Sequence, residues 1–252
     1  MMQYHDYRTT HVGPESWAKD YDATLFAPGS FDAAIWEREQ QLLDRIVQQH
    51  VPRRDSYLDF ACGTGRVLSH LERSFATSVG LDISATMLGV ARERVRTARL
   101  VEGDPTRDPG VLGGRRFDFI SAFRFFLNAQ PSLRDAAMGF LASALRDNDS
   151  RLLFNVHGNR FSTRAVVAAK AKLTREQFSS MSIAESVGLA ARHGLEVVEW
   201  YGVGSYDKAL LRILPTGAWR WAEAHAALPR RFAVYLYFLC RRQQQSERPC
   251  RL

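Results

Sequence analysis

Leu58-Asp59-Phe60-Ala61-Cys62-Gly63-Thr64-Gly65-Arg66 reads as a strand that runs into a glycine-rich turn and then into a helix. Tyr57–Phe60 is short and, apart from Asp59, apolar, as a strand buried on both faces should be. Gly63 and Gly65 let the backbone take positive φ or come close to a ligand. In open α/β sheets, ligands bind beyond the carboxyl ends of the strands, and this turn lies at such an end.

Outward from that turn, strand and helix alternate. Downstream, Arg66–Ser74 reads as a helix and Ser78–Leu81 as a second strand that ends at Asp82. Ser84–Thr97 is helical, Arg99–Val101 a third strand before Glu102-Gly103-Asp104, and Phe117–Ala122 a fourth. Ser132–Leu145 is helical, Leu152–Val156 is a fifth strand, and Thr174–His193 is a helix interrupted near 179–182 and closed by Gly194. Leu195–Trp200 and Phe232–Leu239 are the sixth and seventh strands. Upstream, Trp36–Val47 carries an amphipathic stripe at Trp36, Leu42, Leu43, Ile46 and Val47, broken by Pro52. The first 20 residues are polar and read as a loose arm or a short helix. Short continuous apolar runs between helical segments predict a doubly wound, Rossmann-like α/β fold, with a mostly parallel sheet and helices on both faces.

The chain has 252 residues, with 34 Lys and Arg against 27 Asp and Glu, a formal charge of +7. Hydrophobic residues make up 46%, which excludes a wholly disordered chain. Most of the excess charge falls after residue 229, where six arginines face Glu247 alone, so it reads as a basic tail rather than a nucleic-acid face. The 3 cysteines, Cys62, Cys240 and Cys250, show no paired spacing, so no disulfide framework and no metal site is expected. Nothing reaches the roughly 18 apolar residues of a membrane span, and the N-terminus lacks an apolar signal region. A cytoplasmic protein is expected, a monomer or a homodimer, without a membrane or nucleic-acid partner. One domain over 1–252 is expected: an N-terminal helical lid region (1–50), a cofactor-binding half (51–157) and a substrate-side half (158–252). Inserts near 158–180 and 206–229 interrupt the alternation, the second carrying Trp219 and Trp221.

Asp82 follows Asp59 by 23 residues and ends the second strand, a place from which a carboxylate accepts hydrogen bonds from ribose hydroxyls. A dinucleotide fingerprint needs a small third residue for close helix packing, and Leu68 stands there instead. Asp59 would repel a pyrophosphate and attract an ammonium group. S-adenosylmethionine carries that ammonium and no phosphate, so charge favours the methyl donor over a nicotinamide cofactor.

The run Asp59-Phe60-Ala61-Cys62-Gly63-Thr64-Gly65 resembles the first motif of the class I S-adenosylmethionine-dependent methyltransferases of the small-molecule type. The resemblance is good over about residues 57–156 and looser towards both ends. It implies a sheet of seven strands, the last antiparallel and inserted beside the sixth. It also implies that Asp59 faces the methionyl ammonium, and that Ala61, Gly63 and Gly65 form the floor beneath the cofactor. Asp82 would hold the ribose hydroxyls, with Ile83 and Met87 against the adenine. Asp104, after Gly103, would accept from the adenine amino group. Ala122 and Phe123 would flank the methionyl part, and Tyr21 would close over it.

The acceptor side is less defined. His157, just after the fifth strand, is the best-placed candidate for a general base, because imidazole titrates near pH 6.5. Asn128, Tyr206 and Asp207 are further candidates. Phe123, Phe125, Phe126, Trp219 and Trp221 suggest an apolar acceptor cavity. The fourth strand is followed by no Asn-Pro-Pro-Tyr run and no carboxylate, so neither amide or nucleobase amino methylation nor metal-dependent catechol chemistry is expected. The resulting expectation is S-adenosylmethionine-dependent transfer to an oxygen or nitrogen of a small molecule, secondary metabolites included, by in-line displacement in which the protein mainly supplies proximity. An RNA or protein methyltransferase and a nicotinamide-dependent oxidoreductase are the alternatives.

Overall fold

The computed structural model describes residues 6–10, 18, 20, 23–163, 180–205, 221 and 229–244. Seven strands form one sheet: β1 (Ser56–Phe60), β2 (Thr77–Asp82), β3 (Arg99–Glu102), β4 (Phe119–Ala122), β5 (Arg151–Val156), β6 (Leu195–Val203) and β7 (Tyr235–Arg242). Their order is β3-β2-β1-β4-β5-β7-β6. The pairs among β1 to β5 are parallel, and β7 lies antiparallel between β5 and β6. The topology reverses between β1 and β4, so the crevice expected for a ligand opens above these two strands.

The described helices are α1 (Tyr7–Thr10), α2 (Phe31–His50), α3 (Arg66–Leu71), α4 (Ala85–Arg94), α5 (Pro131–Ala144) and α6 (Ile183–Arg192). Their starts follow local chemistry. The Ser30 hydroxyl accepts from the Ala33 amide, the Ser84 hydroxyl from Met87, and Ser182 with Glu185 forms a capping box. Successive strand residues face opposite layers. Leu58, Ile120, Leu152 and Phe238 pack on α5 and α6, while Tyr57, Phe119, Leu153 and Tyr237 pack on α2, α3 and α4. Phe154 stacks on Phe238 across the antiparallel β5–β7 register, with ring centroids 5.1 Å apart. No helix among the described residues is long and apolar enough to cross a membrane.

Several boundaries differ from the sequence reading, four of them for a visible physical reason. The helix after β2 ends at Arg94 rather than Thr97. Buried Glu72, in the short 3-10 turn after α3, takes the next amides out of helical register: its carboxylate accepts from Arg96 N, Thr97 N, Ala98 N and Thr97 Oγ1 at 2.7–3.2 Å. The seventh strand begins at Tyr235 rather than Phe232, because Arg230–Phe232 closes a 3-10 turn after Pro229. β6 runs on to Val203 because β7 pairs along its length. Phe117 lies ahead of β4 and makes an isolated bridge to Leu145. Residues 164–179, 206–220 and 222–228, which hold most of both expected inserts, lie outside the described residues.

Burial alone would raise the Glu72 carboxyl, but its hydrogen bonds from the α4–β3 turn outweigh this and hold it below the usual range. Glu72→Ala strands three backbone amides at about 1 kcal/mol each, so a loss of about 3 kcal/mol in urea denaturation at pH 7 is expected. The folded pKa is depressed, so this contribution is present above the unfolded value near 4.3 and fades as pH falls through the folded one. The difference between wild type and variant therefore narrows below pH 4.

Candidate active site

The carboxyl ends of β1, β2 and β4, with the loop after β3, open onto one cleft. Asp59–Thr64 forms its floor. Ala61, Gly63 and Gly65 all take positive φ, at 54°, 55° and 75°. Ala61 holds that conformation without being glycine, which costs on the order of 1–2 kcal/mol and is tolerated where neighbours enforce it. Gly65 lies behind the floor. A Cβ there would stand 3.0 Å from Val95 Cγ2 and 3.1 Å from Ala91 Cβ, so Gly65 turns the chain into α3 against α4.

Asp59 is 1% exposed. The Ser121 hydroxyl donates to its Oδ1 at 2.6 Å, and the Tyr57 hydroxyl stands 2.7 Å behind Ser121. Oδ2 is buried with no hydrogen-bond partner. Burial pushes the carboxyl up to about 7, against the opposing pull of the Ser121 bond and the Arg66 charge. A buried, half-satisfied carboxylate at the base of an open cleft suits a cationic ligand group.

Asp82 ties the glycine turn to β2. Its Oδ2 accepts from Gly63 N at 2.8 Å and its Oδ1 from Ser84 N at 2.9 Å, and burial raises its pKa. Ile83 and Met87 line the cleft beside it, as does Gly103, whose amide donates to the Asp82 carbonyl at 2.9 Å. Asp104 also lines the cleft, and its carboxylate is already engaged: Arg8 Nε donates to Oδ2 at 2.6 Å, and Thr106 N and Oγ1 donate to Oδ1 at 2.9 and 2.5 Å. Burial alone would raise this carboxyl, but these bonds hold it below its usual range. One lone pair of Oδ2 remains for a ligand.

The N-terminal segment forms a wall of the cleft. Tyr7 N donates to Gln130 Oε1 at 3.1 Å, Gln130 Nε2 donates back to Asp6 at 3.0 Å, and the Tyr7 ring meets Phe125 edge-on at 5.7 Å. Arg8 continues this contact to Thr106 at 2.7 Å. Phe26, Arg66 and Arg124 line another part of the cleft. The sequence reading missed Tyr7, Arg8, Phe26 and Arg124 as site residues, because their partners are distant in sequence. Arg124 carried one local anomaly, a non-glycine φ of 58°, enforced by a 2.6 Å bond from its amide to buried Asn155.

Phe123, Phe125 and Asn128 line the cleft, whereas Phe126 lies in the core. Ala122 is fully buried and does not line the cleft. His157 is likewise not among the lining residues, and its ring packs 6.4 Å from that of Tyr235. Trp221 is two-thirds exposed and also stands apart from the lining. Tyr21, Tyr206, Asp207 and Trp219 lie outside the described residues. Burial pushes the Cys62 thiol well up, as a packing role requires. No group of three His, Cys, Asp or Glu that could hold a metal ion occurs among the described residues.

A family profile described as a methyltransferase domain matches residues 35–200, about two-thirds of the chain. The dTDP-3-amino-3,6-dideoxy-alpha-D-glucopyranose N,N-dimethyltransferase of Streptomyces fradiae is 41% identical over 115 residues, 44% of each chain. The dTDP-3-amino-3,4,6-trideoxy-alpha-D-glucopyranose N,N-dimethyltransferase of Streptomyces venezuelae is 42% identical over 75 residues, 30% of each. The matched region thus spans less than half the length of these curated relatives. Among solved structures, magnesium protoporphyrin IX methyltransferase from Synechocystis with bound S-adenosylhomocysteine superposes with a TM-score of 0.64 at 16% identity, over 91% of this chain and 96% of that one. Profile, topology and glycine turn agree: the chain belongs to the class I S-adenosylmethionine-dependent methyltransferases.

Proposed function

We propose that this protein moves the methyl group of S-adenosylmethionine to a nitrogen or oxygen of a small molecule, with an amino nitrogen as the first acceptor to test. The observation that carries this is the buried carboxylate of Asp59, unsatisfied at Oδ2, beneath a glycine turn at the sheet's switch point. The amino-sugar N,N-dimethyltransferases similar to this chain support the nitrogen. When bound, S-adenosylmethionine supplies an electrophilic methyl on a sulfonium whose departure needs little assistance.

The protein's part is then alignment. Asp59 holds the cationic methionyl end, and the glycine turn passes close beneath the ligand. Asp82 takes the ribose hydroxyls with the lone pairs left by Gly63 and Ser84, and Ile83 and Met87 bracket the base. Phe123 and Phe125 exclude water around the transferred group, while Asn128 is placed to orient an acceptor. A neutral amine needs its proton removed only after attack, so the absence of His157 from the lining leaves this chemistry intact.

Calorimetric titration with S-adenosylmethionine and S-adenosylhomocysteine tests the cofactor. Binding near micromolar is expected. Asp82→Ala removes the ribose partner and also frees the Gly63 amide, so a loss of tenfold or more is expected, about 1.4 kcal/mol. If the intact protein binds neither ligand, the proposal falls.

A further inference from the structure

We propose that Arg124 binds an anionic group on the acceptor, so that the small molecule to be methylated carries a carboxylate or a phosphate. This rests on the function proposed above and narrows its substrate class. The residues given to the ribose and the base, Asp82, Ile83 and Met87, belong to the end of β2 and the segment after it, on one side of the switch point. Arg124 follows β4, on the other side. Its amide donates to Asn155 of β5 at 2.6 Å, and its Nη2 donates to Asp32 Oδ1 of α2 at 3.1 Å. That oxygen also accepts from the Tyr235 hydroxyl of β7 at 3.4 Å. With adenosine over β2 and β3, the part of the cleft beside Arg124 is left for the acceptor.

The local backbone points the same way. Phe123, Arg124 and Phe125 all line the cleft. Had β4 continued in extended form, Arg124 would face away from its two neighbours. Its φ of 58° brings it to their side, a conformation that a residue with a Cβ takes only where its surroundings enforce it. The turn thereby sets a permanent cation among aromatic rings. The guanidinium lies 5.2 Å from the ring centroid of Phe26 and 5.8 Å from that of Tyr235, and the side chain is only 17% exposed. Desolvating that charge is costly, and buried Asp32 offsets the cost. As packing alone, such a pair adds little stability over apolar residues of the same volume. A guanidinium that lines a cleft recognises the oxygens of a carboxylate or a phosphate by shape as well as by charge.

The test uses the protein saturated with S-adenosylhomocysteine, with inorganic phosphate and acetate as probes at fixed ionic strength. A bound probe stabilises the complex by RT ln(1 + [L]/Kd), so thermal midpoints measured against probe concentration yield Kd even in the millimolar range. The wild type is expected to bind at least one probe, and the tighter of the two tells phosphate from carboxylate. Arg124→Gln should weaken that probe by about tenfold or more, the loss of one charge-assisted contact, while S-adenosylhomocysteine stays within about threefold. Asp32→Asn should tighten the probe, because it removes a competing carboxylate. An ion pair that serves only the fold predicts no such gain, so this variant decides the matter where Arg124→Gln does not fold. Arg124→Lys keeps a charge beside Asp32 and should retain part of the probe's binding. Three results overturn the proposal: neither probe stabilises the wild-type complex, folded Arg124→Gln binds the probe as the wild type does, or it loses S-adenosylhomocysteine as severely as the probe. Failure of the wild type to bind S-adenosylhomocysteine would instead overturn the functional proposal, and this one with it.

Discussion

Asp59→Asn is expected to weaken S-adenosylhomocysteine binding by about a hundredfold and to abolish its pH dependence. The substitution keeps the shape of the side chain, and its carbonyl still accepts from Ser121. What it removes is the charge at Oδ2. A charge-assisted contact in a buried site is worth about 2–3 kcal/mol, which corresponds to roughly 30- to 150-fold. In the wild type, burial raises the Asp59 carboxyl to about 7, so ligand-competent carboxylate is scarce in acid. The apparent Kd scales inversely with the competent fraction, so binding should be roughly tenfold weaker at pH 6 than at pH 8. Titrations at the two pH values check this, and a flat wild-type profile would remove Asp59 from the ammonium site.

The same substitution should stabilise the ligand-free protein at alkaline pH. The folded pKa of Asp59, about 7, lies above the unfolded value near 3.9. The folded state therefore binds the extra proton between these values, and the stability this supplies is lost as pH rises through about 7. A gap of about three pH units corresponds to on the order of 4 kcal/mol for this fully buried group. Denaturation of the ligand-free wild type at pH 5.5 and 8, set beside Asp59→Asn, isolates the contribution. The variant should lose less stability than the wild type on going to pH 8.

Asp118→Ala should be the most damaging change away from the cleft. Asp118 is 1% exposed and precedes β4, at the amino edge of the sheet. Its Oδ2 accepts from Asp55 N at 3.1 Å, Ser56 N at 2.9 Å and Ser56 Oγ at 3.1 Å. Its Oδ1 meets Arg53 Nε at 2.7 Å and Arg146 Nε at 3.1 Å. This carboxylate thus fastens the start of β1 to the start of β4, the two strands that frame the switch point. Its removal leaves two amides and two guanidinium groups without that acceptor. Breaking a buried pair by deleting one partner costs about 3–5 kcal/mol. For a chain of this size a loss of 4 kcal/mol lowers Tm by about 10 °C. At temperatures where the variant stays folded, its affinity for S-adenosylhomocysteine should match the wild type. A large loss of affinity there would mean that the two edges of the sheet are coupled.

The residues that local pattern could reveal are those whose signal lies within one turn or one strand. Short apolar runs identify β1, β2, β4 and β5, because strands buried on both faces have no polar side to alternate, while β3 is a half-exposed edge strand. The spacing of Gly63 and Gly65 identifies the turn, because only a few residue types take positive φ cheaply. Asp59 and Asp82 are candidates from their places within the first strand and at the end of the second. The stripe on α2 was legible too, although the buried charges of Asp32 and Glu39 on it were not recognised as anchors for cleft arginines. Each meets its arginine far along the chain: Glu39 meets Arg66, and Asp32 meets Arg124 at 3.1 Å.

The sequence by itself therefore determined the sheet class and the cofactor chemistry, because the glycine turn and the alternation of strand and helix are written in contiguous residues. Only the tertiary structure decided what surrounds them. Arg8 reaches Asp104 across 96 positions, and Tyr237 reaches Glu39 across 198. The structure also placed His157 outside the lining and turned Gly65 towards α4. The physical reason is common to these cases: which distant side chains converge depends on strand order and helix packing. No local periodicity encodes that convergence.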